Sequence, residues 1–161
     1  MKLNMIVCVA DNNLIGDAKP TGNGLLWHSK EELQYFKSLT VGNVVVFGAN
    51  TAKFVPIELM KKDRDVEIIE FGKRSLSVDI IPKYWRTDKD VFVCGGYTVY
   101  KTHLNSMIFD NIYLSKLKPH VAVKQAIEPL YLPDIDSMPE YVKVSETEHE
   151  DFIAYVYKRK K

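Results

Sequence analysis

The chain has 161 residues, 46% of them hydrophobic and 27% charged, and its 22 basic and 21 acidic side chains leave a net charge of +1. This length suits one domain with a core of its own, and the composition excludes disordered and collagen-like classes. So balanced a charge supplies no field for nucleic acid or an anionic membrane.

Seven β-branched or aromatic runs predict strands, at 3 to 9, 43 to 48, 67 to 71, 90 to 96, 111 to 118, 141 to 148 and 151 to 159. The first four are nearly continuous apolar runs, as a parallel sheet covered on both faces requires. The last three alternate, as expected of antiparallel edge strands. Helices are predicted at 30 to 40, at 51 to 61 (interrupted by Pro56) and at 97 to 104. Strands alternating with helices and closing on a hairpin give a single α/β domain over 1 to 161, with a mixed, mostly parallel central sheet, flanking helices and a C-terminal antiparallel hairpin. The terminal Lys158-Arg159-Lys160-Lys161 reads as a solvated tail.

Cys8 and Cys94 each lie in an apolar run and suit reduced core thiols, which points to the cytoplasm. No window approaches the roughly 18 apolar residues of a membrane span, and the N-terminal apolar segment is too short for a signal peptide. The four histidines are scattered, with no H-x-x-x-H or C-x-x-C, so no metal site is expected. No G-x-S-x-G occurs, and neither cysteine has an evident electropositive setting for nucleophilic catalysis.

Chemistry concentrates at three places. In "HSKEELQYFKSLT" (28 to 40), Ser29 and Glu32 fit the S-x-x-E capping box. Glu32 also stands beside Leu33 and Phe36, where a desolvated carboxylate would hold its proton above the ordinary glutamate value and handle it near neutral pH. Two strand-to-helix turns, at Gly48 and at Gly95-Gly96, are candidate anion sites because helix starts expose free N–H groups. The second lacks the G-x-G-x-x-G spacing of a Rossmann fingerprint.

Taken in order, "NNLIG" (12 to 16), "NGLLWHSKEELQYFKSLT" (23 to 40), "VVVFGANT" (44 to 51), "VFVCGGYTVY" (91 to 100) and "IYLSKL" (112 to 117) resemble dihydrofolate reductase along almost the whole chain, as a divergent member of that family. The resemblance implies NADPH-dependent reduction of 7,8-dihydrofolate by a cytoplasmic monomer with a small-molecule substrate, and no nucleic-acid or membrane partner. Glu32 matches the acid that holds the pterin and supports protonation of N5. The resemblance puts Trp27 at the water beside that acid, Ser115 in hydrogen-bonding reach of it, and Tyr100 near the hydride-transfer site. Ile6, Val7, Cys8, Leu33, Phe36 and Cys94 would line the substrate pocket, and Arg64, or alternatively Lys62, would hold the glutamate tail. For the cofactor it implies Gly95, Gly96, Tyr97, Thr98 and Val99 at the pyrophosphate, Gly48, Ala49, Asn50 and Thr51 beside them, and Ile15 and Gly16 at the nicotinamide.

The chain departs from the family pattern at several points. Ala49 stands where a basic residue commonly grips the 2'-phosphate, and Lys73 with Arg74 could supply the missing charge. Leu26 precedes the tryptophan in place of proline, Tyr97 replaces a third glycine, the 73 to 90 segment is short, and the Gly16-to-Trp27 loop is long enough to act as a lid. Two other readings stay open: a related pterin or pyrimidine reductase, and a binding or structural protein that keeps the scaffold without turnover.

Overall fold

β-Branched runs build the centre of the protein. The computed structural model describes residues 1–161. Along the chain it forms β1 (Leu3–Val9), β2 (Leu14–Asp17), α1 (Lys30–Thr40), β3 (Val44–Gly48), α2 (Ala49–Ala52), α3 (Ile57–Met60) and β4 (Asp65–Ile69). These are followed by α4 (Ile81–Tyr84), β5 (Val91–Val93), α5 (Tyr97–Asn105), β6 (Asn111–Leu117), β7 (Pro129–Tyr131), β8 (Tyr141–Glu148) and β9 (Phe152–Arg159).

Seven strands make one sheet in the order β4-β3-β5-β1-β6-β9-β8. The first five run parallel, and β9 is antiparallel to both β6 and β8. The expected parallel sheet with a C-terminal hairpin is therefore present, with one correction. β6 is an interior strand, parallel to β1 from Asn4↔Asn111 to Val9↔Lys116. Its alternation records which side chains meet the core, since Ile112 and Leu114 join the main apolar cluster while Tyr113 and Lys116 stay half-buried. β8 is the true edge, exposed at every position after Tyr141.

The predicted helix at 51 to 61 divides into α2 and α3 around Pro56, which has no N–H to continue the ladder. β2, β7, α4 and the π-turn before it were not expected. β2 and β7 form a separate two-stranded antiparallel sheet. A π-turn at Leu76–Ile80 runs into α4, with the Ser75 hydroxyl accepting the Val78 N–H. Leu76, Ile80 and Tyr84 on this segment are buried in the main cluster.

That cluster of 22 buried residues covers one face of the sheet. Val45, Phe47 and Met60 form a smaller cluster on which Phe36 of α1 packs, and Ala10, Leu117, Phe152 and Ala154 form a third against Trp27 and Tyr35. Both faces are thus closed over β3, β5 and β1, and their carboxyl ends are the place for a cleft, since open α/β sheets bind ligands there. No helix is long and apolar enough to cross a membrane.

Candidate active site

α1 begins at the mouth of this cleft. Ser29 is its N-cap, with extended φ and ψ, and its hydroxyl accepts the Glu32 N–H at 3.2 Å. Only that half of a capping box forms. The Glu32 carboxylate turns into the cleft, where Cys8, Tyr35 and Tyr100 lie close enough to feel its charge. Burial alone pushes its pKa from 4.5 to about 7, since no cation or donor offsets the loss of water. The adjacent Glu31 does something different: its carboxylate accepts the Asp151 N–H at 2.8 Å, on the turn between β8 and β9.

Leu33 is 49% exposed and does not help to desolvate Glu32, contrary to the sequence expectation, whereas Phe36 does pack inward. The desolvation comes from the cleft floor. There β1 contributes the buried Ile6, and Cys8, which lies opposite the buried Ser115 of β6, while Val7 between them joins the main core on the other face. No direct hydrogen bond joins Ser115 to Glu32. The Tyr100 hydroxyl donates to the Ile6 carbonyl at 2.7 Å, which pins the start of α5 to β1. Cys94 directly follows β5 and donates its thiol hydrogen to the Phe92 carbonyl at 3.2 Å. Burial raises both thiols and the Tyr100 phenol, so all three stay neutral at physiological pH. Trp27 packs in the same cluster as Cys8, and its side chain interacts with that thiol.

The two glycine turns meet each other. The Gly48 N–H donates to the Gly95 carbonyl at 2.7 Å, and the Gly95-Gly96 peptide is cis. A Cβ on Gly48 would come within 2.9 Å of Val99 Cγ2, and one on Gly96 would overlap Thr51 Oγ1. Gly95 has φ +118, and a Cβ there would stand 3.3 Å from the Tyr100 ring. The backbone can approach this closely only without side chains. α5 then starts at Gly96 with no side-chain cap, so the N–H groups of Tyr97, Thr98 and Val99 point outward without partners. Free donors at a nine-residue helix, beside the Thr51 hydroxyl and a glycine-walled gap, form a cradle for a phosphate-sized anion. Ala49 and the exposed Asn50 open α2 alongside, and half-buried Tyr97 has the Lys101 ammonium 5.7 Å above its ring.

Around the rim, Arg64 is tied down in a half-buried position. Its guanidinium donates to Asp63 Oδ1 at 2.8 Å and to Thr40 Oγ1 at 3.2 Å, whereas Lys62 is exposed. Arg74 is taken up within the fold: it pairs with the buried Glu67 at 2.6 Å and donates to the Ile68 carbonyl. Lys83 and the Tyr84 hydroxyl bind the same carboxylate. Lys73 stays exposed, pairing with Glu70 at 3.4 Å. On the opposite rim, Ile15 packs against the main core, and the space at Gly16 is open. The long loop ending at Trp27 reaches Phe54, just beyond α2, since a Cβ on Gly24 would sit 2.6 Å from the Phe54 ring.

Sequence reasoning missed Tyr35, Thr40, Phe54 and Asp17. Asp17 accepts the N–H groups of Ile127 and Glu128, fixing β2 to β7. Tyr35 lies one turn from Glu31 on a helical face that the periodicity already exposed to inspection; the other contacts are long-range and carry no local signal.

A profile of the family described as dihydrofolate reductase matches residues 2–159. The chain is 26% identical over 170 residues to a dihydrofolate reductase of Mycoplasma genitalium, covering 96% of each. It is also 26% identical over 158 residues to one of Schistosoma mansoni, covering 84% of this chain and 80% of the relative. Among solved structures, a dihydrofolate reductase from Enterococcus faecalis complexed with NADP(H) and RAB-propyl superposes with a TM-score of 0.74 at 18% identity, over 99% of this chain and 97% of that one.

Proposed function

This chain belongs to the dihydrofolate reductase family, and from that premise we propose that it reduces 7,8-dihydrofolate to 5,6,7,8-tetrahydrofolate with NADPH, Glu32 being its single proton-handling side chain. The observation that carries the reading is a carboxylate with no protein partner, raised by burial to about 7, near Cys8 and near Tyr100, whose ring also stands against Gly95 of the glycine-walled cradle. A structural acid at that place would be paired or solvated.

The cradle fits the cofactor. The free N–H groups of Tyr97, Thr98 and Val99 and the Thr51 hydroxyl suit its pyrophosphate, and the similar Enterococcus faecalis protein is complexed with NADP(H). Ile15 and Gly16 border the nicotinamide, and Lys73, left exposed, is the side chain we assign to the 2'-phosphate in place of Ala49. When bound, the cofactor supplies hydride to C6 of the pterin.

The protein supplies the rest. Glu32 holds the pterin amino group and ring nitrogen through its two oxygens. With a pKa near 7 it is protonated in a useful fraction of molecules at physiological pH and raises the proton supply to N5. Trp27 limits the water reaching the acid, and Ser115 completes the polar floor from β6. Tyr100, its hydroxyl held by the Ile6 carbonyl, presents its ring edge beside Gly95 and fixes the spacing between pterin floor and cofactor cradle. Phe36 and Leu33 flank the substrate's ring system. Arg64, pre-set by Thr40 and Asp63, receives the glutamate carboxylate.

We further read the protein as a monomer of the cytoplasm, where its unpaired thiols Cys8 and Cys94 stay reduced. The test is loss of NADPH absorbance on adding dihydrofolate to purified protein. Steady consumption that needs both substrates is expected; cofactor binding without consumption would overturn the reading.

A further inference from the structure

Because the Glu32 carboxylate bonds to nothing else in the protein, its place in the cleft depends on how the backbone at the start of α1 is held. Ser29 does not hold that start alone. Its hydroxyl accepts the Glu32 N–H and donates its one hydrogen to Asp151 Oδ2 at 2.6 Å. A hydroxyl committed in this direction aims its lone pairs at the helix. Asp151 sits on the turn between β8 and β9, and its other carboxylate oxygen is 3.0 Å from His120 Nε2, in the segment after β6.

The joint is reciprocal. Glu31 of α1 accepts the Asp151 N–H at 2.8 Å and the Glu150 N–H at 3.4 Å, and the Asp151 carbonyl accepts the Lys118 N–H at 2.8 Å. Tyr35, one turn further along α1, packs its ring 5.4 Å from His149 and 5.3 Å from Phe152, and those two rings stack at 4.4 Å. We infer that the hairpin turn is a positioning clamp for the active-site acid, with Asp151 acting through Ser29 to set where Glu32 stands in the cleft. The inference rests on the role given to Glu32 above.

The charged and titratable neighbours are compatible with this task. Asp151 faces Glu31 from α1, Lys118 and His120 from the segment after β6, and Glu148, His149 and Glu150 from its own hairpin. Lys118 also pairs with Glu148 at 2.7 Å. The Ser29 hydroxyl first, then His120, hold the Asp151 carboxyl below the usual aspartate value, so the acceptor for Ser29 persists across the range in which Glu32 titrates. A displacement of about 1 Å in a reacting group can cost about a hundredfold in rate, so a clamp outside the cleft has leverage on chemistry inside it.

The test is titration of the Glu32 side-chain carboxyl by carbon-13 NMR in the full chain without ligands, beside the pH profile of kcat. Asp151→Ala frees the start of α1 and lets water reach the acid. Its midpoint should fall by about one unit, a tenfold loss of proton affinity. The kcat at pH 7 should fall about tenfold with a smaller change in KM. Asp151→Asn retains a carbonyl acceptor for Ser29 and should restore both. Glu148→Gln, which breaks only the Lys118 pair, should leave the midpoint in place. An Asp151→Ala protein with the wild-type midpoint, or a Glu148→Gln protein shifted as far, would overturn the clamp. If Asp151→Ala does not fold, Glu31→Ala opens the joint from the helix side, and an unshifted midpoint there overturns it equally. Absence of turnover in wild type would defeat the proposed function, while the midpoints would still decide the clamp.

Discussion

Replacing the proposed proton-handling acid should make the ligand-free protein more stable, but only on the alkaline side. The Glu32 carboxyl rises from 4.5 to about 7 in the fold, a shift of about 2.5 units, or roughly 3 kcal/mol at 1.4 kcal/mol per unit. Solvent at the half-open cleft screens part of this, leaving about 1–2 kcal/mol. Because the folded value lies above the unfolded one, the stability tied to this proton is fully present below about pH 4.5 and is lost as pH rises through 7. Above about pH 8 the wild type therefore carries an uncompensated charge in the cleft that Glu32→Gln does not. For a chain of 161 residues, that gain corresponds to a Tm higher by roughly 2–8 °C. Thermal melts of both proteins at about pH 8.5 and pH 4.5 measure it, with the difference expected at the higher pH and near zero at the lower. Equal melting at the alkaline pH, or a gain of the same size at both, would refute the desolvation on which the role of Glu32 rests.

Four further outcomes follow from the geometry. Gly96→Ala should weaken NADPH binding, measured by fluorescence titration, by about tenfold or more, since its Cβ would overlap Thr51 Oγ1 and close the cradle. Arg64→Gln should raise the KM for dihydrofolate by about ten- to a hundredfold with little change in kcat, whereas Lys62→Ala should leave both near wild type. Lys73→Ala should weaken NADPH more than NADH in parallel binding titrations; equal weakening would remove it from the 2'-phosphate. Arg74→Ala should instead act on the fold, lowering stability in denaturant titration by about 2 kcal/mol as the buried Glu67 loses a partner, with cofactor preference unchanged.

Much of this architecture was legible because the relevant signals are local. The apolar run of β3, fully buried along its length, could belong only to a covered parallel strand, and Ser29 marked the start of α1 to the residue. Glycines at 48, 95 and 96 marked two strand-to-helix turns, although not that the two turns approach each other. What escaped was set by distant partners. β2 and β7 are short and weakly patterned, and their pairing is fixed by Asp17 bonding N–H groups 110 and 111 residues away. The buried set Leu76, Ile80 and Tyr84 repeats every four residues, but Pro82 interrupts the pattern and no helix is predicted there.

The paired acids show the same division between local and distant information. Sequence alone offered capping or catalysis for Glu32. In the fold the Ser29 hydroxyl takes the Glu32 N–H and bonds Asp151, Glu31 accepts from the hairpin turn, and the Glu32 carboxylate is left without a protein partner. Similarly, Lys73 and Arg74 were equivalent candidates for a phosphate until the Glu67 carboxylate was found to occupy one of them. Leu33 shows the limit of helical periodicity, which identified a face of α1 without showing that the cleft leaves part of it open.

The most direct test of the central claim is the pH dependence of dihydrofolate reduction by wild type and Glu32→Gln, followed through NADPH absorbance from about pH 5 to 9. The variant should be strongly impaired at neutral pH and recover toward acid, where the substrate arrives already protonated, and wild-type activity should fall through a midpoint near 7. A Glu32→Gln enzyme that matches wild type across the range would contradict the claim.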